Sequence, residues 1–250
     1  MRLTNQVAIV TGGAGGLGKG ICKAIAEEGA DVAIVVNKNL KGGQEIAEEI
    51  QKKHGKTPLV LKADVCNSRE VKEMVKRVYE QWGKIDILVN NAGITSWKRI
   101  EDISEEEWDR VIEVNLKGHF LCAQAVIPHM KKQGYGKIVN MGSLVAKSGG
   151  RATGVAYPAS KGAIHSFTFV LAKHLAPYGI NVNAVAPGPI DTEINKDMPP
   201  EKRKDVIDAI PLKRFGEVNE VARTIVFLAS HDADYITGEI IDINGGIHTD

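Results

Sequence analysis

Cysteine is scarce in this chain: Cys22, Cys66 and Cys122 are the only three in 250 residues, odd in number and far apart. That excludes a disulfide framework and predicts free thiols in a reducing cytoplasm. Charge of one sign is also missing. The formal net charge is +1 and no basic block stands out, so a nucleic-acid role has no electrostatic footprint. The chain has neither a long apolar run nor a secretory leader; residues 1–4 lead straight into a strand-like segment, and a soluble protein without membrane partners is expected. The seven histidines fall in no HExxH or other ligand spacing, and no metal site is expected.

Glycine, by contrast, is plentiful, and many of the 26 glycines separate short apolar runs from amphipathic stretches. This alternation predicts strands over residues 6–10, 31–36, 58–62, 85–89, 137–141, 180–185 and 240–243. Between them, helices are expected from the first glycine-rich turn to Gly29, from about Lys41 to near Gly55 and from Ser68 to Trp82. Two more are expected, a long helical region from Ser104 and a helix ending at Gly179; Ser104-Glu105-Glu106-Glu107 carries a capping-box pattern that fixes the start of the former. Near-continuous apolar strands alternating with helices imply a parallel sheet covered on both faces. No Pro/Ser-rich linker, low-complexity segment or repeat divides the chain. The reading is one α/β domain over residues 1–250, a doubly wound, Rossmann-like sheet of about seven strands with helices on both faces. Residues 188–211, with four prolines and the charged run Glu201–Lys204, read equally as a lid over a pocket or as a plain surface helix and loop.

Directly after the first strand comes Thr11-Gly12-Gly13-Ala14-Gly15-Gly16-Leu17-Gly18. Without side chains here the backbone can approach a pyrophosphate, and the following helix offers unpaired N–H groups and its positive dipole end. A strand before it, a helix after it and a second strand at 31–36 point to dinucleotide binding. An acid at the end of the second strand would bind the adenosine ribose diol and repel a 2′-phosphate. The chain instead has Asn37 and Lys38 there, which favours NADP(H), with NAD(H) as the alternative.

Tyr157 and Lys161 are four residues apart, which on a helix places them on one face, one turn apart. A fixed ammonium beside a phenol stabilises the phenolate, so Tyr157 is expected to ionise below its ordinary value of about 10 and to serve as proton donor and acceptor. Pro158 does not disturb such a helix if it lies in the first turn.

Taken in order, these segments resemble the short-chain dehydrogenase/reductase family nearly end to end. Gly12-x-x-x-Gly16-x-Gly18 is similar to that family's cofactor loop, Asp64-Val65 to its adenine contact and Asn90-Asn91-Ala92-Gly93 to its hallmark segment after the fourth strand. Pro187-Gly188-Pro189-Ile190-Asp191-Thr192 is similar to the segment that meets the nicotinamide carboxamide. Asn115, Ser143, Tyr157 and Lys161 fall on the family's four catalytic positions. The resemblance implies an NAD(P)(H)-dependent oxidoreductase that interconverts a ketone and a secondary alcohol. In it Ser143 orients the substrate oxygen, Tyr157 is the general acid and base, and Lys161 holds the nicotinamide ribose and lowers the tyrosine pKa. Asn115 positions a water that links Lys161 to solvent. The resemblance implies a homotetramer as well. A catalytically silent dinucleotide sensor is the alternative of another class; a replaced Tyr157 or Lys161 would have favoured it.

The C-terminal segments Ile210–Gly216, Phe227–Ser230, Tyr235–Gly238 and Asn244–Gly246 read like the 3-oxoacyl-[acyl-carrier-protein] reductase subgroup, which implies an acyl-thioester substrate. They also occur across sugar and polyol dehydrogenases of the family, which leaves a small-molecule ketone or alcohol open. Two features depart from the subgroup. The interval from Ser143 to Tyr157 is one residue longer, and Ala14-Gly15 stands where those reductases place a serine and an arginine. Ser143, Val145, Arg151 and Tyr157 are the expected substrate contacts, with Ser96, Trp97, Val155, Ile190, Ile194 and Met198 around the pocket. Lys131, Lys132 and Lys173 are the basic residues available to an acidic carrier protein.

Overall fold

Val7–Thr11 (β1) is buried along its whole length and pairs in parallel on both sides, which makes it an interior strand of the sheet. The computed structural model describes residues 1–150, 154–193 and 198–249. After β1 come α1 (Gly16–Glu27), β2 (Asp31–Val36), α2 (Leu40–His54), β3 (Leu59–Lys62), α3 (Ser68–Trp82) and β4 (Ile87–Asn90). The chain continues through α4 (Glu105–Ile112), a π-turn (Glu113–Lys117), α5 (Gly118–Gln133), β5 (Gly136–Met141), the short α6 (Val145–Ser148) and α7 (Ala156–Leu175). It ends with β6 (Ile180–Pro187), α8 (Pro200–Ala209), α9 (Val218–Ala229) and β7 (Ile240–Ile243). All seven strands are parallel, in the order β3-β2-β1-β4-β5-β6-β7.

The period of two along β1 divides the core. Ala8 and Val10 face one layer, packed with Ile21 and Ile25 of α1, Ile46 of α2 and Ile225 of α9. Val7 and Ile9 face the other, with Val75 and Val78 of α3, Val126 of α5 and Leu175 of α7. Helix α3 shows how the sequence sets such an element. Asn67 caps it by accepting from Arg69 N and Glu70 N. Val71, Met74, Val75 and Val78 recur at helical spacing and are buried, each worth roughly 1.5–3 kcal/mol gross. Gly83, at φ 73°, ends it.

Strand order reverses between β1 and β4, and the crevice at the carboxyl ends of these strands is where open α/β sheets bind ligands. The region after Ser104 is less regular than expected. Ser104 caps α4 through Glu107 N, but Glu107 does not reach back to complete a capping box; its carboxylate accepts from Ser96 Oγ at 2.7 Å. The long helical region expected there runs unbroken from α4 into α5 through the π-turn, at whose centre Asn115 sits. Of residues 188–211, α8 is a surface helix with no buried residue, tied down by Arg203, which pairs with Asp191 at 3.3 Å and lies 4.3 Å over the Phe215 ring.

Candidate active site

The carboxyl ends of β1 and β4 are stitched together by side chains. Thr11 Oγ1 accepts from Asn91 N at 3.0 Å and Ala92 N at 3.1 Å, while Asn91 Nδ2 donates to Thr11 O and Gly12 O. Asn91 thereby braces the glycine loop. Gly12 has φ 66°, and a Cβ there would lie 2.9 Å from Ala92 Cα; a Cβ on Gly18 would overlap Gly12 O. Gly15 and Gly16 differ from both. They are exposed, a Cβ on either meets nothing within 4 Å, and α1 opens above them with no side-chain cap. Leu17 packs against the core behind them. The result is a bare helix N-terminus with an open approach, a cradle that fits a pyrophosphate.

At the adenosine end, Asn37 and Lys38 are exposed after β2, whereas Asn39 is committed to capping α2 through Gly42 N. Asp64 follows β3 and accepts from Cys66 N at 2.9 Å. Burial pushes its carboxyl up, but Cys66, Arg110 and a hydrogen bond from Asn37 outweigh this and hold it below the usual carboxylate value. Val65 packs its side chain into the core, where a Cβ on Gly118 of α5 would lie 2.8 Å from Val65 Cγ2.

The proton-transfer candidates converge where β5 runs into α6 and α7 begins. Pro158 lies in the first turn of α7, as the sequence requires. Ser143 is buried beyond the end of β5, where its hydroxyl accepts from Val145 N at 3.4 Å and lies near enough to Tyr157 to act on its phenol. Lys161 is 2% exposed; its Nζ lies 5.6 Å from the Tyr157 ring centre and donates to Met141 O at 2.6 Å. Here the expected acidic tyrosine is corrected. Burial pushes Tyr157 above its ordinary value, the nearby Ser143 opposes this only in part, and the ammonium is turned to the Met141 carbonyl. Burial also lowers Lys161 to about 8.

Asn115 reaches the same cluster from the π-turn. Its Oδ1 accepts from Ile94 N at 2.8 Å, and its Nδ2 donates to Ile94 O at 2.9 Å and Ser160 Oγ at 3.0 Å. Ser160 Oγ in turn donates to Tyr157 O at 2.7 Å. The side chain thus ties the segment after β4 to the turn carrying Tyr157, and its amide hydrogens are spent on protein oxygens. Gly93 keeps this junction open, since a Cβ there would lie 3.3 Å from Asn115 Oδ1 and 3.8 Å from Lys161 Nζ. Ser160 and His119 were not anticipated. Each had a signal in spacing, three residues after Tyr157 and four after Asn115. His119 is buried, and its imidazole is pushed down to about 3 by burial and then by the Lys161 charge, so it is neutral.

On the substrate side, Val145 and Val155 are partly exposed near Ser143 and Tyr157, and Trp97 is 58% exposed. Ser96 is buried, donates to Glu107 and accepts from Lys98 N. Ile190 is also buried in the core, beside Gly216. Pro187 O accepts from Leu144 N and Gly188 N donates to Ile243 O, with Thr192 and Met198 partly exposed beyond them. Arg151 and Ile194 lie outside the described residues. Among the described residues no cluster of His, Cys, Asp and Glu could hold a metal ion, and no helix is long and apolar enough to cross a membrane.

A family model described as enoyl-(acyl carrier protein) reductase matches residues 12–248. The chain is 42% identical over 246 residues to a 3-oxoacyl-[acyl-carrier-protein] reductase of Staphylococcus epidermidis, covering 98% of this chain and 99% of the relative. It is 42% identical over 250 residues to the protein of the same name from Thermotoga maritima, covering 99% of each. Among solved structures, a Serratia marcescens short-chain dehydrogenase/reductase double mutant superposes over 100% of both chains with a TM-score of 0.94 at 32% identity. With the parallel seven-stranded sheet, these matches place the chain in the short-chain dehydrogenase/reductase family, NAD(P)-dependent oxidoreductases acting on CH–OH groups.

Proposed function

We propose that the chain is a 3-oxoacyl thioester reductase that uses NADPH, with Tyr157 as general acid. The observation that carries the reading is the buried Lys161 ammonium 5.6 Å from the Tyr157 ring centre, with buried Ser143 near enough to act on the same phenol. Gly15, Gly16 and the start of α1 would hold the pyrophosphate, and Lys161 and Gly93 would face the nicotinamide ribose. A nicotinamide held there would supply the hydride for the carbonyl carbon. Ser143 donates to the carbonyl oxygen and orients it, and Tyr157 delivers its proton to that oxygen as negative charge develops there. A tyrosine held above its ordinary pKa stays protonated at neutral pH, which suits the reductive direction. Lys161, at about 8, is mostly an ammonium at pH 7 and stabilises the phenolate left behind. Asn115 holds the loop and helix that present these groups.

Support for the thioester comes from the relatives' printed names along the whole chain. Lys132 and Lys173 are exposed and open to an acidic carrier protein; Lys131 instead lies 3.7 Å over the Tyr178 ring. NADPH is favoured by Lys38 and Asn37. A homotetramer is supported by Phe120 on α5 and by Phe169 and Val170 on α7, large apolar side chains left 43–48% exposed. The three unpaired thiols support a reducing cytoplasm. Sugar or polyol oxidation is the second reading, favoured by Ala14-Gly15 and the longer approach to Tyr157. A panel of 3-oxoacyl thioesters, small ketones and keto sugars, run with NADPH and NADH, separates the two. Fastest turnover of the thioester with NADPH is expected; a sugar substrate preferred by tenfold, or no turnover of any substrate, would overturn the proposal.

A further inference from the structure

His119 stands in the first turn of α5, one turn after Asn115, and is 1% exposed. Neither of its ring nitrogens completes a hydrogen bond. An imidazole buried in this way forfeits its hydrogen bonds to water, and a buried polar group without a protein partner calls for a bound one. Asn90 adds a second such acceptor. Its Nδ2 donates to His119 O at 3.4 Å and to Asn140 Oδ1 at 3.0 Å, while its Oδ1 is buried with no partner.

The His119 ring and the Lys161 ammonium converge on one peptide unit. An edge of the ring faces the carbonyl of Ala92, which acts to raise the imidazole pKa against burial. Lys161 Nζ comes within 3.8 Å of where a Cβ on the next residue, Gly93, would stand. The ring nitrogen turned to a carbonyl carries the proton, so the other offers a lone pair. Because burial and the Lys161 charge hold the imidazole at about 3, that lone pair stays available throughout the neutral range.

Lys161 has the matching surplus. An ammonium carries three N–H donors. One goes to Met141 O at 2.6 Å, and a second would meet the nicotinamide ribose. The side chain is 2% exposed, so the third has no bulk water to turn to. Asn115 is committed through Oδ1 and Nδ2 to Ile94 and Ser160. The titratable groups facing Lys161 are Tyr157 on its own helix and His119 on α5; β5 presents the Met141 carbonyl and the π-turn presents Asn115, both uncharged. Burial alone sets the pKa of Lys161, so among the described residues no charged side chain of α4, α6 or β6 moves it.

We propose that His119 and Lys161 hold a bound water between them: the ammonium donates to the water oxygen, and the water donates to the unprotonated ring nitrogen of His119. With Asn90 Oδ1 the water reaches the three partners usual for a buried site. His119 is then a positioning residue, acting on the reaction through Lys161 by stabilising the ammonium and fixing the direction of its third N–H. The proposal rests on the reading of Lys161 as the ammonium that serves Tyr157.

The test compares wild type, His119→Phe and His119→Gln as cofactor-free protein with 13C at the lysine ε-carbons, Lys161→Met assigning the Lys161 signal. In His119→Phe, or His119→Leu should the phenylalanine variant not fold, Lys161 should lose its proton about one pH unit below wild type, a roughly tenfold weaker hold, as expected for a lost hydrogen bond to a charged group. His119→Gln keeps an acceptor and should stay within about threefold of wild type in proton affinity. The alkaline limb of the kcat profile should move with the amine; Tyr157, held above its ordinary value, titrates later and does not obscure it. In wild type, cross-relaxation should show a long-lived water at the His119 ring, the ring being assigned by its loss in the variants. An unmoved Lys161 titration in the apolar variant would overturn the proposal, as would a glutamine variant no closer to wild type, or a wild-type ring without water. If wild type reduces no carbonyl substrate, the reading of the site fails separately, and the amine titration and the water contact still decide whether His119 and Lys161 are joined.

Discussion

Replacing Lys161 by methionine should change the pH dependence of stability in a way no surface lysine could. Burial lowers this amine from 10.5 to about 8, so the folded protein carries an ammonium it has desolvated. At pH 7 both folded and unfolded states are protonated, and the full penalty, about 3 kcal/mol from the size of the shift, is present. Between pH 8 and 10.5 the unfolded state binds more protons than the folded one, so the penalty is relieved as pH rises; roughly 1 kcal/mol remains at pH 10. Wild type should therefore gain about 2 kcal/mol over Lys161→Met between pH 7 and pH 10. The hydrogen bond to Met141 O opposes the penalty at neutral pH by about 1–3 kcal/mol, so the two proteins should be close in stability at pH 7. Urea unfolding of the cofactor-free proteins at pH 7, 8, 9 and 10, at one protomer concentration, reads this directly. Stability curves that run parallel with pH would refute the account of a desolvated ammonium. Activity should be lost in Lys161→Met at every pH, which separates the catalytic cost of the residue from its cost in folding.

The glycines of the first loop should divide by role. Gly15→Ala, in open space, should leave the unfolding midpoint unchanged and weaken NADPH binding about tenfold, whereas Gly18→Ala, which drives a methyl onto Gly12 O, should cost at least about 2 kcal/mol of stability as well. Equal effects of the two on stability would contradict the distinction. Lys38→Ala should weaken NADPH about tenfold and leave NADH unchanged, with the difference shrinking at 1 M salt, where exposed charges are screened. An equal loss for both cofactors would remove Lys38 from the choice between them.

Much of the fold was legible because its signals are local. Asp31–Val36 and Ser68–Trp82 begin and end where the apolar pattern and the Asn and Gly termini say they should. The π-turn at Asn115 was not legible. Its cause is tertiary: the side chain is held by Ile94 and Ser160, which lie 21 and 45 residues away. Glu107 illustrates the same limit, since a local capping box was displaced by a buried serine eleven residues upstream. At the site, the spacing of Tyr157 and Lys161 indicated which side chains meet but not what they do to each other. Burial acts on both and outweighs the pairwise charge effect that spacing suggests. The burial of the Ser96 and Ile190 side chains, one against Glu107 and the other in the core, comes from contacts distant in sequence and has no local signature.

The most direct test of the account is Tyr157→Phe, which removes one oxygen and leaves the ring, α7 and the Lys161 bond to Met141 in place. Turnover of the best keto substrate should fall by ~10²–10⁴-fold, the range for loss of a positioned general acid, while NADPH binding measured by fluorescence titration stays within about twofold. Near-normal turnover in that variant, with cofactor binding intact, would contradict the central claim that Tyr157 gives the proton.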